Sequence, residues 1–175
     1  MSKEVSSSAA LPVAYVALRI LIALNWLMVP VILALLFVVP NEQWIMSALD
    51  LSPSPEARRL VMGLRAIAAL GLVAIPLYQM VLKRLLAIVE TVRAGDPFVA
   101  ANADRLHAIA WTLLTLQLLS LGIGAIVKAV SIPGHPLDID AGFSVNGWLA
   151  VLFTFLLARV FAAGTIMRDD LEGTV

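Results

Sequence analysis

The sequence predicts an all-α integral membrane protein, a four-helix bundle in which one long helix extends into the cytoplasm. Hydrophobic residues make up 61% of the 175 residues and charged residues only 14%, and the mean hydropathy is +0.97. Soluble domains carry about 45–50% apolar and about 25% charged residues, so this chain has too little polar surface for a water-soluble globule. Several of its apolar segments are also long enough to cross the roughly 30 Å hydrocarbon core of a bilayer.

We expect a single membrane domain over residues 1–175, with spans at about 11–39, 60–82, 106–130 and 143–167. The apolar run of the first span exceeds the roughly 7–15 residues of a signal-peptide core, and no small-residue cleavage site follows it. We therefore expect this span to stay in the protein.

The charge balance and the absence of cysteine exclude several classes of protein. Twelve Lys and Arg residues cancel twelve Asp and Glu residues, which argues against direct nucleic-acid binding. A chain without cysteine has no disulfide, no thiolate nucleophile and no cysteine-ligated metal. His107 and His135 are predicted on opposite sides of the membrane, and His107 is spaced to hydrogen-bond Asp104 within its helix. The sequence lacks a nucleophile elbow, a phosphate-binding glycine loop and a zinc-binding pair, so we expect no enzyme activity, cofactor or metal.

The distribution of Lys and Arg orients the predicted spans. Six basic residues flank one side (Lys3, Lys83, Arg84, Arg93, Arg105 and Arg168) and three flank the other (Arg58, Arg59 and Lys128). Because cytoplasmic loops carry an excess of Lys and Arg, we expect both termini and the middle loop in the cytoplasm.

The second predicted helix does not end where its apolar span ends. Nothing in residues 82–94 breaks a helix, and these thirteen residues would project roughly 20 Å beyond the hydrocarbon. Their apolar positions follow the narrow spacing of a coiled-coil seam, formed by Leu82, Leu85, Val89 and Val92. The seam either packs against the chain's own 104–107 region or tail, or it docks a second copy or a cytoplasmic partner, with Leu85 and Val89 at its centre.

The segment Gly95-Asp96-Pro97-Phe98 predicts a helix stop followed by a restart. We expect Gly95 to end one helix in the left-handed conformation. We expect Asp96 to cap the next helix, Pro97 to take its first position, and Phe98 to be a short apolar anchor.

Arg19 and Arg159 lie about nine residues inside the first and fourth predicted spans. Ionised groups within a span are costly, by roughly 2.5–3.5 kcal/mol at the helix centre, and are candidate functional residues. Three interpretations stay open: anchoring of lipid phosphates by long snorkelling side chains, pairing with acids such as Glu90 or Asp169, and a ligand or ion path. The span cores contain no Asp or Glu, which counts against a cation-coupled transporter.

Two stretches resemble a known family. Gly95-Asp96-Pro97-Phe98, followed by Asn102 and Arg105-Leu106, resembles the loop between the middle spans of DUF2975, a family of uncharacterised bacterial membrane proteins. The ending Gly164–Val175 is similar to the family's ending, in which a glycine leaves the last span and acids follow; here the acids are Asp169, Asp170 and Glu172.

The resemblance implies a four-span domain of the bacterial inner membrane for which no catalytic residues are known. Family members are often encoded beside small helix-turn-helix regulators, which implies a signalling role at the membrane. The leading hypothesis is therefore a small regulatory or interaction protein that acts through its cytoplasmic face. Its partners would be the lipid bilayer, a helix-turn-helix regulator or other cytoplasmic protein, and a second copy in a homo-oligomer.

An alternative hypothesis is a small-solute channel, a transporter component or an immunity-type membrane protein. The solute path would then be lined by the hydroxyls of the third span (Thr112, Thr115 and Ser120) together with Gln79, Arg19 and Arg159.

Overall fold

The computed structural model describes residues 4–37, 46–47, 52–131, 139 and 141–172. Within these ranges the secondary structure is helical, without strands, which confirms the predicted fold class. The long helices are α1 (Glu4–Phe37), α2 (Pro55–Arg93), α3 (Ala100–Val130) and α4 (Val145–Glu172).

Each long helix contains an apolar stretch that is long enough to span a bilayer. These stretches are Ala10–Leu36, Pro55–Arg93, Ala100–Val130 and Val145–Arg168, and their mean hydropathies range from 1.9 to 2.2. The outward faces also carry large apolar side chains, such as Val13 and Phe153, which are both 65% exposed. Lipid can cover such faces, whereas soluble monomers rarely expose contiguous apolar patches of this extent.

The helices pack antiparallel, in chain order, as an open row. In the described part of the chain α1 approaches α2, α2 approaches α3 and α3 approaches α4, and no other pair of long helices comes close. The start of α1, the end of α2, the start of α3 and the end of α4 therefore lie together. We call this the turn end, because residues 95–99 connect α2 to α3 there, and we call the opposite end the loop end.

Helix α2 is continuous over 39 residues, or roughly 58 Å, about twice the hydrocarbon thickness. It begins as the sequence predicts: Ser54 is the N-cap and its hydroxyl accepts the Ala57 N–H at 3.1 Å, with Pro55 at the first position. The seam residues Leu85 and Val89 are half-buried. That the end of α2 extends beyond the membrane into the cytoplasm stays a prediction.

An amide clamp joins α1 to α2 beside the proline of α2. The Asn25 Nδ2 donates to the Ile75 carbonyl at 3.0 Å and to Gln79 Oε1 at 3.1 Å. Ile75 immediately precedes Pro76, and Gln79 is buried. Asn25, a polar residue of the first span, is thus used for helix packing, as interhelical amides in membranes commonly are.

Small residues bring backbones together toward the loop end, as the Ser120-x-x-x-Gly124 spacing predicts. A Cβ on Gly124 would lie 2.6 Å from the Gly142 Cα, so α3 touches the segment before α4 directly. The Gly142 N–H also donates to the Ser120 hydroxyl at 3.2 Å. The sequence also predicts a short interfacial helix that carries Trp44, Ile45 and Leu49, and a turn with the acidic pair Asp138 and Asp140, but these five residues lie outside the described part of the chain.

Candidate functional site

Helix α2 ends in a complete Schellman motif. The Asp96 N–H donates to the Thr91 carbonyl at 3.0 Å, and the Gly95 N–H donates to the Val92 carbonyl at 3.1 Å. Gly95 has φ +85°, which confirms the predicted left-handed glycine. These bonds satisfy carbonyls that the end of a helix otherwise leaves unpaired.

The Asn102 side chain fastens the turn to both helices. It is fully buried, at 0% exposure. Its Nδ2 donates to Thr91 Oγ1 at 2.6 Å and to the Pro97 carbonyl at 2.9 Å, and its Oδ1 accepts from Arg105 Nη1 at 2.7 Å. One amide therefore joins the last turn of α2, the connecting turn and the first turn of α3.

The predicted restart of the helix at Asp96 and Pro97 is wrong. Helix α3 begins at Ala100, and its N-cap is Val99, which makes no side-chain capping bond. The physical reason lies in the competing partners of the turn. The Asp96 carboxylate pairs with Arg168, and the Pro97 carbonyl accepts the Asn102 amide, so both residues are held outside the helix.

The turn is joined to the last helix by what we call the turn–tail contact, formed by Asp96, Phe98, Phe161, Gly164 and Arg168. Arg168 forms an ion pair with Asp96, and each of these side chains is 41% exposed. The Phe98 and Phe161 rings lie 5.4 Å apart between centroids. A Cβ on Gly164 would lie 2.8 Å from Phe98 Cδ1, so the ring rests on the bare backbone.

Gly164 does not end the last span, as the family resemblance implied it would. Helix α4 continues through Gly164 to Glu172. Gly164 instead gives the Phe98 ring space, because a Cβ at this position would collide with the ring. Of the three predicted tail acids, Asp170 is exposed, and the side chains of Asp169 and Glu172 lie outside the described residues.

The two candidate arginines, Arg19 and Arg159, have different surroundings. Arg19 lies over the Tyr15 ring at 4.8 Å from the centroid, and Arg93 from the end of α2 lies 4.6 Å from the same centroid. Arg19 therefore makes a cation–π contact, and it does not pair with Glu90. Arg159 is exposed and lines a cleft between α3 and α4.

The predicted hydrogen bond between His107 and Asp104 does not form. The His107 Nε2 instead accepts the Trp111 indole N–H at 3.0 Å, one turn further along α3. Phe155 of α4 packs edge-on against both rings, with centroids 5.7 Å from His107 and 5.5 Å from Trp111. This aromatic packing holds the imidazole toward Trp111.

The described residues contain no group of three or more histidine or acidic side chains placed to hold a metal ion. The polar groups of α3 mostly bond within their own helix, as Thr112 does to the Ala108 carbonyl at 2.7 Å. The turn end thus holds the most extensively bonded polar cluster that the structure describes.

Together, the apolar helices and their apolar outward faces define a multi-pass α-helical membrane protein. The chain belongs to the DUF2975 family, described as a protein of unknown function, whose model matches residues 5–175. The predicted resemblance is confirmed over essentially the whole chain. No curated protein and no solved structure matches it.

Several members of this site could not be predicted from the sequence. Thr91, Phe161 and the pairing of Arg168 with Asp96 carry no local pattern, because their partners are 11 to 72 residues away. The contact of Tyr15 could have been predicted, because a tyrosine four residues before Arg19 on a helix is placed to stack with it.

Proposed function

We propose that this protein is a non-enzymatic regulatory or interaction protein of the bacterial plasma membrane, acting through its turn end. The observation that carries the proposal is the convergence of the two family-like motifs, Gly95–Phe98 and Gly164–Arg168, at the turn–tail contact. A contact between the middle turn and the last helix couples the packing of the spans to the position of the tail.

The turn is held rigidly in this contact, whereas the ion pair between the turn and the last helix is easily broken. The Asn102 amide and the Schellman motif hold the turn rigidly on α2 and α3. The Asp96–Arg168 pair is 41% exposed on both sides, and pairs of this kind contribute about 0–1 kcal/mol. The tail is held by this weak pair and by the packing of Phe98 on Phe161 and Gly164, so a change in span packing that separates these rings would release it, as expected of an element that switches between two states.

The proposed partner is a cytoplasmic protein, for which a helix-turn-helix regulator is the leading candidate. The excess of Lys and Arg near the turn end supports a cytoplasmic location for this end and for both termini. The half-buried seam around Leu85 and Val89 and the exposed Asp170 would belong to the docking face. A second copy of the chain is the other partner that such a seam would accept.

Charge reversal at the ion pair tests the proposal. Asp96→Arg and Arg168→Asp each place like charges in contact, and the double variant restores a pair with reversed polarity. We expect each single variant to change which cytoplasmic protein crosslinks to the membrane-inserted chain, and the double variant to restore the wild-type pattern. Arg59→Asp, an exposed site on α2 toward the loop end, is the matched control.

The docking seam has a separate test. Charged substitutions at Leu85 and Val89 should abolish crosslinking to the partner or change the oligomeric state, while the protein still inserts. Unchanged partners and an unchanged oligomeric state would refute the seam as a docking face. Reporter fusions at the two termini test the orientation, which predicts both in the cytoplasm.

The alternative hypothesis of a solute path has less support from the described residues. Gln79 packs against Asn25 of α1, whereas Gln117 packs onto Gly147 of α4, so these amides serve different helix contacts. Liposome flux that is lost on changing Gln117 and Arg159 would favour this alternative over the regulatory proposal.

A further inference from the structure

A cleft between α3 and α4 combines groups of opposite charge with aromatic walls. Its volume is about 340 Å³, within the roughly 300–1,000 Å³ range of small-molecule sites. Asp104 and Arg159 line it together with the rings of His107 and Phe155. Alanines on both helices, including Ala158, leave the space open.

The described protein leaves both charges of this cleft without a counterion. Asp104 and Arg159 do not pair with each other, and neither has another ion-pair or hydrogen-bond partner among the described residues. Arg159 lies inside the apolar stretch Val145–Arg168 and is exposed at the cleft. A cation at such a position needs an anion from outside the chain.

The aromatic side chains favour a position of the cleft at the level of lipid headgroups. Trp111 packs against Phe155 at 5.5 Å and donates to His107 at 3.0 Å, beside the charged groups. Trp is enriched where the bilayer meets water, and long arginine side chains reach toward the same layer. Exposed apolar residues of α4, Leu156 and Val160, flank Arg159 in sequence.

We infer that this cleft binds the headgroup of a zwitterionic phospholipid that carries a primary ammonium, as in phosphatidylethanolamine. The guanidinium of Arg159 donates to the lipid phosphate, and the Asp104 carboxylate accepts from the ammonium. The acyl chains then run along the apolar face of α4 that Leu156 and Val160 share. The two unpaired charges are opposite in sign, and this lipid presents the complementary pair on one headgroup.

Native mass spectrometry of the delipidated full chain in detergent micelles tests the site. The probes are phosphatidylethanolamine and phosphatidylglycerol with the same acyl chains, and soluble glycerophosphoethanolamine. We expect one ethanolamine lipid per chain, bound about tenfold more tightly than phosphatidylglycerol. Soluble glycerophosphoethanolamine should bind far more weakly, because it lacks the chains that α4 contacts.

Two substitutions separate the roles of the charges. Arg159→Gln should weaken binding of both lipids about tenfold, because both carry the phosphate. Asp104→Asn should weaken only the ethanolamine lipid and so remove the preference between the two. Lys128→Gln, an exposed site toward the loop end, should change neither affinity.

Three results would overturn the inference. The first is equal affinity of the wild-type chain for the two lipids. The second is unchanged binding by Arg159→Gln, provided that circular dichroism shows the variant folded. The third is binding of the soluble headgroup as tight as that of the lipid, which would assign the cleft to a soluble ligand. None of these results bears on the turn–tail contact.

Discussion

Replacing Asn102 with alanine should destabilise the protein by about 3 kcal/mol. The substitution removes two bonds donated by the amide and one accepted from a guanidinium. Neutral hydrogen bonds contribute about 1 kcal/mol each and bonds to charged groups about 1.5–3, which sums to roughly 4 kcal/mol. Polar contacts between membrane helices average only about 0.6 kcal/mol, which gives a lower limit of roughly 2. Complete burial of the amide favours a value between these two sums.

The assay is reversible unfolding in mixed micelles of mild detergent and dodecyl sulfate, followed by tryptophan fluorescence and circular dichroism. Asn146→Ala is the matched control, because Asn146 is an exposed residue on α4, and it should change the free energy of unfolding by less than about 0.5 kcal/mol. Thr91→Val removes one of the three bonds and should cost about 1 kcal/mol. If Asn102→Ala lowers the free energy of unfolding by less than about 1 kcal/mol, the conclusion that this amide holds the turn to α2 and α3 is refuted.

Three further predictions use the same unfolding assay. Gly124→Ala places a Cβ 2.6 Å from the Gly142 Cα and should lower the free energy of unfolding by about 1–3 kcal/mol. Gly122→Ala meets open space and should raise it by up to about 1 kcal/mol, so equal effects of the two substitutions would contradict the close approach. Gly164→Leu collides with Phe98 and should lower the free energy of unfolding by about 1–3 kcal/mol. Adding Phe98→Ala to the same chain should recover most of this loss, and a double variant whose loss is the sum of the two single losses would argue against this packing. Tyr15→Leu removes two cation–π contacts and should cost about 1–2 kcal/mol, while Tyr78→Leu, at an exposed site on α2, should cost less; the reverse order would be inconsistent with the stacking.

The sequence predicted most strongly those features that depend on composition and local pattern. Hydropathy located the four spans, and Ser54-Pro55 and Gly95 marked the start and end of α2, because caps and left-handed glycines are set by a few neighbouring residues. The predicted helix start at Asp96 was wrong because the Asp96 carboxylate pairs with a distant residue, Arg168, and does not cap a helix.

The sequence predicted individual residues of the candidate site, but it did not predict the contacts between them. Gly95–Phe98, Asn102 and the tail were each singled out, yet nothing local indicates that Phe98 rests on Gly164. That contact depends on the antiparallel register of α3 and α4, which hydropathy does not specify because every face of an apolar span has similar composition. For the same reason, the sequence does not predict that the helices form an open row.

Cysteine crosslinking between residues 98 and 164 is the most direct test of the turn–tail contact. The chain has no native cysteine, so Phe98→Cys with Gly164→Cys introduces the sole thiol pair. A Cβ on Gly164 would lie 3.7 Å from Phe98 Cγ, so the two Cβ atoms lie within about 5 Å, close to disulfide range. We expect rapid intramolecular crosslinking in native membranes under mild oxidation, and none for Phe98→Cys with Lys128→Cys. Failure of the first pair to crosslink above this control would contradict the turn–tail contact and the function proposed for it.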